Sequence, residues 1–260
     1  MSWDDARAMW ARGSYAIVGD WFAEASRDCL EGLDLEGRRL LDVACGTGSV
    51  AIAAAAAGAD VVALDITPSM LTEARRRADA LGVAVDWREG SFSDLSAYRG
   101  FDAVTSGFGV IFADDPAAVA GELVAACRPG GRIAATAWAP DGAFGRPPQA
   151  LLDQLPEAAG ISPWAERDTA AELATSAGAA LDAFRRATVT IGFASAADAV
   201  NQMLAHSGPW QVIAEALEAR GALAAAREAM IGHLGRFARP ASGGIALEVD
   251  YVVARWRVPG

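Results

Sequence analysis

The strongest constraint on the fold is an apolar run that breaks into a turn of small residues, LDVACGTGSV at 41–50. The run predicts a buried strand at 39–43, and the alanine-rich residues after the turn predict a helix over 47–57. A second apolar run at 60–64 ends at Asp65. A strand, a glycine-rich turn, a helix and a second strand ending in an acid are typical of a nucleotide site at the edge of a parallel sheet.

The same alternation of strands and helices continues to residue 138. Thr67 and Pro68 predict the start of a helix that runs to about Leu81, with the threonine as its N-cap. The remaining elements of this region are predicted strands at 83–87, 101–107 and 128–138 and a helix at 116–127. This order predicts an α/β protein with a Rossmann-like, doubly wound and mostly parallel sheet.

The pattern changes after Trp138. A loop rich in proline and glycine is followed by a predicted helix near 169–177 and a predicted strand at 184–193. The chain closes with an alternating strand, IALEVDYVVARWRV at 245–258, which has no helix after it and is therefore expected to insert antiparallel as the last of seven strands.

Helical segments on either side of the sheet region predict a covered site. Residues 1–34 are expected to form a helical lid with a break at Gly13, and residues 195–239 a helical insertion that covers a substrate. No repeat or low-complexity linker interrupts the chain, so residues 1–260 are interpreted as a single domain.

Composition narrows the possible partners. The chain is 53% hydrophobic and 21% charged, which is typical of a globular protein. A net charge of −11 argues against binding to nucleic acid, which needs clustered basic residues, and against an anionic membrane surface. The oligomeric state cannot be derived from the sequence.

The number and spacing of the cysteines and histidines predict a protein of a reducing compartment. They also predict that the protein has no metal site. Cys29, Cys45 and Cys127 are odd in number and widely spaced, as expected of free thiols in a cytoplasmic protein. With two histidines and no Cys-x-x-Cys pair, zinc is not expected. The pair Asp114 and Asp115 is better explained by a helix cap before Pro116 than by a magnesium site.

The glycine-rich turn allows more than one nucleotide ligand. It has the central G-x-G of the dinucleotide fingerprint at Gly46 and Gly48, but Ala51 stands at the third glycine position. Asp65 lies where this topology places an acid against ribose hydroxyls. A carboxylate that accepts from both hydroxyls makes charge-assisted hydrogen bonds, which are the stronger kind.

Five segments together resemble class I S-adenosylmethionine-dependent methyltransferases. In order over about residues 38–138 they are LLDVACGTGSVAIAAA, VVALDITPSMLTEAR, VDWREGSFSDL, FDAVTSGFGVIF and LVAACRPGGRIAATAW. The resemblance is to small-molecule methyltransferases of bacterial secondary metabolism and quinone biosynthesis. It implies S-adenosylmethionine as the cofactor and a small-molecule acceptor, methylated at oxygen, nitrogen or carbon.

The resemblance also implies roles for individual residues at the methionine end of that cofactor. The residues expected there are Asp42, Ala44, Gly46, Ser106 and Phe108. Tyr15, in the predicted lid, is expected to contact the cofactor carboxylate. Aromatic faces attract a sulfonium cation, so Phe112 and Trp138 are further candidate neighbours.

At the adenosine end, the resemblance implies Asp65 on the ribose diol, Ile66 beside the adenine and Met70 packed on the same ring. Ser91 and Phe92 occupy the place where this family usually has an acid that accepts from the adenine amino group. A serine hydroxyl can accept the same hydrogen bond, although it departs from the family pattern.

One histidine is a candidate general base. His206 lies in NQMLAHSGPW within the predicted insertion, where it could take a proton from a hydroxyl or an acidic carbon. The alternative is a surface or structural histidine, and a carboxyl acceptor would need no base. His233, in IGHLGRF, is expected on an exposed turn of helix.

Two other classes of protein remain open at this point. A nicotinamide-dependent oxidoreductase would be expected to have the third glycine and an unbroken parallel sheet. A protein that binds S-adenosylmethionine as a structural element for non-methylating chemistry would have the same pocket residues, and methyl transfer from a labelled donor would distinguish it.

Overall fold

Five parallel strands form the first part of the sheet: β1 (Arg39–Val43), β2 (Asp60–Asp65), β3 (Asp86–Glu89), β4 (Phe101–Gly107) and β5 (Cys127–Trp138). The structure is a computed structural model and describes residues 3–155 and 162–260. β1 pairs with β2 on one side and with β4 on the other, while β3 and β5 extend the sheet outward. Four of the five residues of β1 are buried, as expected for a central strand.

The C-terminal strands complete a sheet of the order β3-β2-β1-β4-β5-β8-β6. β6 (Ala180–Phe193) and β5 both pair antiparallel with β8 (Gly244–Arg257), which confirms the predicted antiparallel insertion of the last strand. The prediction of seven strands is wrong by one, because β7 (Ala238–Ala241) forms an extra hairpin with β8. β7 is short and contains Pro240, which is tolerated only at an edge, so its pattern does not read as a strand.

Eleven α-helices are described in residues 3–155 and 162–260. They are α1 (Trp3–Trp10), α2 (Tyr15–Trp21), α3 (Ala23–Arg27), α4 (Ser49–Ala56), α5 (Pro68–Leu81), α6 (Pro116–Ala126), α7 (Gln149–Leu152), α8 (Arg167–Ser176), α9 (Ala196–His206), α10 (Gly208–Ala219) and α11 (Leu223–Gly235). In the part of the chain that the structure describes, none of them has the length and apolar character of a membrane span.

Both faces of the sheet are packed against helices. Neighbouring residues of a strand point to opposite faces, and in β1 Leu41 joins a buried cluster with Leu123 of α6, whereas Leu40 joins a second cluster with Ala51 of α4 and Leu71 of α5. The predicted covering of the sheet on both sides is therefore observed.

The third strand begins three residues later than predicted, and the first of those residues, Val83, belongs to the cap of the preceding helix. Gly82 adopts the left-handed conformation at the end of α5, and the N–H of Val83 donates to the carbonyl of Ala78 at 3.1 Å. This is the hydrogen bond of a Schellman cap, which glycine favours because a side chain resists that backbone angle.

The N-terminal helices rest on the helices that precede β7. Gly13, at the predicted break, has φ 75° and would place a Cβ 2.3 Å from the carbonyl oxygen of His206. The N–H of Ser14 donates to the same carbonyl at 3.1 Å, and the Arg12 guanidinium contacts both carboxylate oxygens of Glu215 at 2.9 and 2.8 Å. The assignment of this whole arrangement to one domain stays a prediction.

The cap at the start of α6 can be tested by mutation. The Asp115 carboxylate accepts from the N–H of Ala118 at 2.9 Å, as the sequence predicts. We expect Asp115→Ala to lower the free energy of unfolding by about 1 kcal/mol, because it leaves that donor without its partner. Asp115→Asn keeps an acceptor and is the control. Urea unfolding measures both; equal losses in the two variants would contradict the capping role.

Candidate functional site

The turn after β1 lines the cavity with residues that have small side chains or none. Ala44 has φ 53°, Gly46 φ 54° and Gly48 φ 88°, all in the left-handed region. A Cβ at Gly46 would have only the Met70 sulfur near it, at 3.8 Å, so the backbone there is open to a ligand. The left-handed angle at Ala44 is costly for a residue with a side chain, and such strain is concentrated at ligand sites.

The Asp65 carboxylate ties the end of β2 to this turn. One oxygen accepts from the N–H of Gly46 at 2.8 Å and the other from the N–H of Thr67 at 2.9 Å. Burial raises the pKa of Asp65, and the two backbone hydrogen bonds oppose that shift. A carboxylate has about four acceptor positions, so two remain for hydroxyl donors from a ligand.

Asp42 has a different environment. Its side chain is fully buried, accepts from the Thr105 hydroxyl at 3.0 Å and from the N–H of Ala51, in the first turn of α4, at 3.1 Å. Burial raises the pKa of Asp42 to about 7. The residue therefore fixes α4 and β4 relative to β1 while it lies at the floor of the cavity.

The turn after β4 packs directly against the turn after β1. Phe108 has φ 58°, and its N–H donates to the Thr136 hydroxyl at 3.0 Å. A Cβ at Gly109 would lie 2.4 Å from the Cβ of Ala44, so the close approach of the two turns requires a glycine there.

Ser106 does not lie where the sequence analysis expects it. Its hydroxyl donates to the carbonyl of Val43 at 2.8 Å and accepts from the N–H of Val110 at 3.1 Å. The side chain is buried beneath the two turns and does not line the cavity. Its role is to hold the β4 turn against β1.

A cavity of about 1040 Å³ lies at this edge of the sheet. The predicted cofactor residues other than Ser106 all line it: Tyr15, Asp42, Ala44, Gly46, Asp65, Ile66, Met70, Ser91, Phe92 and Phe108. Pockets for one drug-sized ligand span about 300–1,000 Å³, so this cavity has room for two small molecules side by side. Contact of these residues with a cofactor stays a prediction.

Aromatic rings form the wall beside the β4 turn. Phe108 stacks on Trp138 with a centroid distance of 3.8 Å and an interplanar angle of 18°. Phe22 of α2–α3 meets the edge of Trp138 at 4.6 Å, and Phe144 lies 5.7 Å from it. The sequence analysis named Phe108 and Trp138 but missed Phe22 and Phe144, because buried aromatics are as typical of an ordinary core.

A second aromatic group lies at the lid. Trp10 contacts the edge of Phe112 at 4.8 Å and lies 5.5 Å from Tyr15. The Tyr15 hydroxyl is 3.3 Å from the Ser207 hydroxyl, and both residues line the cavity. Burial raises the pKa of Tyr15, so the phenol stays protonated and can donate a hydrogen bond. Sequence reasoning missed Trp10 and Ser207.

The adenine end has an acid that the sequence analysis did not assign. The Ser91 hydroxyl accepts from the N–H of Ser93 at 3.0 Å. Asp94 also lines the cavity, and its carboxylate accepts from the N–H of Ser96 at 3.0 Å, which with the serine hydroxyl lowers its pKa. An acidic acceptor is thus available near the place where Ser91 replaces the usual acid.

The structure does not bring either histidine to the cavity wall. Among the described lining residues there is no histidine, and His206 contributes its backbone carbonyl to the lid contact instead. The expectation that His233 is exposed is wrong: its Nε2 lies 3.1 Å from the carbonyl of Ala143, and Arg236 donates to its Nδ1 at 2.7 Å. Burial lowers the pKa of His233.

The family comparison agrees with the predicted resemblance. Residues 40–131 match the model of a family described as a methyltransferase domain. Over these residues the chain is similar to a methyltransferase domain. Its turn after β1, Asp65 and the strands from β1 to the start of β5 all lie within the matched residues.

The relatives found by sequence comparison match this chain over only part of their length. An uncharacterized protein of Mycobacterium tuberculosis is 42% identical over 143 residues, which are 54% of this chain and 52% of the relative. Demethylmenaquinone methyltransferase of Thermus thermophilus is 43% identical over 119 residues, 44% of this chain and 54% of the relative. The chain spans about half the length of the curated relatives it matches.

Solved structures share the fold over most of the chain. A candidate methyltransferase of Bacillus halodurans has a TM-score of 0.63 at 17% identity and covers 91% of this chain and 100% of its own. Geranyl diphosphate methyltransferase in complex with SAM has a TM-score of 0.54 at 17% identity, over 90% and 83% of the two chains. At these identities the likeness shows the fold alone.

The buried carboxyl of Asp42 predicts a pH dependence of stability. The folded state binds this proton more tightly than the unfolded chain, so the free energy of unfolding falls as the pH rises from about 4 to about 7. Asp42→Asn removes this contribution, which can reach about 1.4 kcal/mol per pH unit. Relative to the wild type, we expect the variant to gain stability as the pH rises.

Urea unfolding at about pH 5 and about pH 7.5 measures the difference. Asp60→Asn is the matched control, because Asp60 lies exposed at the start of β2. Stability curves of wild type and Asp42→Asn that run parallel across this range would show that Asp42 does not titrate there.

Proposed function

We propose that the protein is an S-adenosylmethionine-dependent methyltransferase that acts on an apolar small molecule. The observation that carries the proposal is a single cavity in which the Ala44–Gly48 turn and Asp65 face a wall of aromatic rings. One end suits an adenosyl group and the other an apolar acceptor. The free, buried cysteines support the cytoplasmic location that we propose with it.

The residues present fit the donor on physical grounds. The open backbone at Gly46 permits close approach, and the Asp65 carboxylate retains acceptor capacity for a ribose diol. Ile66 and Met70 offer apolar contacts for the adenine, with Asp94 as an acceptor for its amino group. The protonated Tyr15 hydroxyl is a donor for the carboxylate of the methionine end. S-adenosylmethionine supplies an activated methyl group on a sulfonium.

The protein would contribute mainly by position. Holding the acceptor atom in line with the methyl–sulfur bond can account for much of a rate enhancement. Phe108 and Trp138 stack on each other and line the cavity, so a ring face not used in the stack would favour a cation beside it. Because the described wall contains no histidine, the structure favours an acceptor that is nucleophilic in its neutral form, such as an amine or an enol carbon, whereas a phenol would have to give its proton to water or to a lining carboxylate.

The acceptor is proposed to be a ring compound of the natural-product or quinone type. The aromatic wall supports this, because flat apolar molecules stack on such side chains. Two relatives are named as a demethylmenaquinone methyltransferase and a ubiquinone biosynthesis O-methyltransferase, which agrees with a ring-bearing acceptor.

Calorimetry with S-adenosylhomocysteine tests the donor site. We expect binding to the wild type, and about tenfold or greater loss of affinity in Asp65→Asn, since a charge-assisted hydrogen bond contributes about 1.5–3 kcal/mol. Asp60→Asn, at the exposed start of the same strand, should bind as the wild type does. Thermal unfolding of each variant separates lost affinity from lost structure.

Two results would overturn the proposal. The first is wild-type protein that does not bind S-adenosylhomocysteine but binds a nicotinamide dinucleotide. The second is donor binding without transfer of labelled methyl to any member of a panel of amines, phenols and enols, which would favour the non-methylating alternative.

A further inference from the structure

The described residues that line the cavity include acidic side chains but no basic ones. They include five aspartates, Asp42, Asp65, Asp94, Asp114 and Asp115, and no arginine or histidine. The sequence contains no lysine at all, so its 22 basic side chains are arginines. The sequences of the two undescribed segments, 1–2 and 156–161, contain no basic residue either.

Three arginines at the lid make their contacts outside the cavity, and Arg146, between the lining residues Gly145 and Pro147, is exposed and does not line it. Arg7 of α1 pairs with Glu89 at 2.8 Å, and Arg12 makes two contacts with Glu215. Arg77 of α5 contacts the Asp20 carboxylate at 2.7 Å and donates to the carbonyl of Ala16 at 2.9 Å, both in α2. These guanidinium groups hold the helices together, and none of the three arginines lines the cavity.

The acceptor half of the cavity is the part lined by Phe22, Phe108, Trp138 and Phe144, and no basic side chain is among the described lining residues. An anion removed from water without a cationic partner costs several kcal/mol. The faces of aromatic rings carry partial negative charge, so they attract cations and repel anions. The rings of Phe108, Trp138 and Phe22 line the cavity and offer an anion no positive charge.

We infer that the acceptor carries no anionic group: it is an uncharged ring compound, or a ring-bearing amine that enters as the cation and loses its proton to water before it takes the methyl group. Ring compounds of similar size that carry a carboxylate, a sulfate or a phosphate are rejected by the acceptor half of the cavity, whereas the cofactor's own carboxylate is balanced by its ammonium group and is proposed to lie at the Tyr15 hydroxyl. The inference rests on the proposed function and goes beyond it, because a methyltransferase fold sets no such limit on the charge of its acceptor.

Three probes with one ring system test the charge preference. Naphthalenemethanol, naphthalenemethylamine and naphthoate are neutral, cationic and anionic at neutral pH. Each is titrated calorimetrically into the protein with and without saturating S-adenosylhomocysteine. We expect the alcohol and the amine to bind, and naphthoate to bind about tenfold more weakly or not at all.

A variant that supplies a cation should reverse the preference. Ile213 of α10 lines the cavity, whereas its neighbour Val212 is exposed and does not. We expect Ile213→Lys to strengthen naphthoate binding by about tenfold, through a new ion pair, and Val212→Lys to leave it unchanged. The two variants have the same net charge, so a long-range effect would appear in both.

A second pair keeps the test available if Ile213→Lys does not fold. Ala118 lines the rim of the cavity and is exposed, and its neighbour Ala117 is exposed without lining it. Ala118→Lys should gain naphthoate affinity and Ala117→Lys should not.

The outcomes separate the inference from the proposed function. Absence of S-adenosylhomocysteine binding overturns the function itself. Donor binding with naphthoate as tight as the alcohol overturns only the inference, as does a lysine in the cavity without effect. If none of the three naphthalene probes binds, the proposed aromatic acceptor site is wrong.

Discussion

The hydrogen bonds from Gly46 and Thr67 to the Asp65 carboxylate are the contacts on which the rest of the site depends. They fix the turn after β1 to the end of β2, and they leave an acid at the edge of the sheet with acceptor positions to spare. Because the strands are parallel, the turns that follow their carboxyl ends all lie at the same edge of the sheet. The second turn follows because Gly109 lets Phe108 approach Ala44.

The lid and the helices before β7 convert this edge into a partly covered cavity. Gly13 packs on the His206 carbonyl, and the Tyr15 and Ser207 hydroxyls meet at the cavity wall. Helices from distant parts of the chain thereby add rings to the wall that the sheet provides. Electrostatic interactions strengthen where side chains displace water, so the absence of basic groups in the described lining has consequences for the acceptor.

The sheet could be predicted from the sequence because its strands are local and apolar. The antiparallel last strand followed from its alternation, whereas the edge strand with Pro240 gave no readable pattern. Within the site, the family resemblance indicated residues of the turns that line the cavity, and their contact with a cofactor stays a prediction. The positions of three side chains could not be predicted: Ser106, His206 and His233. The Ser106 and His233 side chains form hydrogen bonds with backbone carbonyls of distant residues, and such tertiary contacts leave no pattern in the sequence.

The central claim is that an adenosyl group lies across the ends of β1 and β2, with its ribose on Asp65. A crystal structure of the protein grown with S-adenosylhomocysteine tests it most directly. The account predicts ribose hydroxyls within hydrogen-bond distance of the Asp65 oxygens and an adenine between Ile66 and Phe92. Density for the ligand elsewhere, or a cavity without it at saturating concentration, would contradict the account.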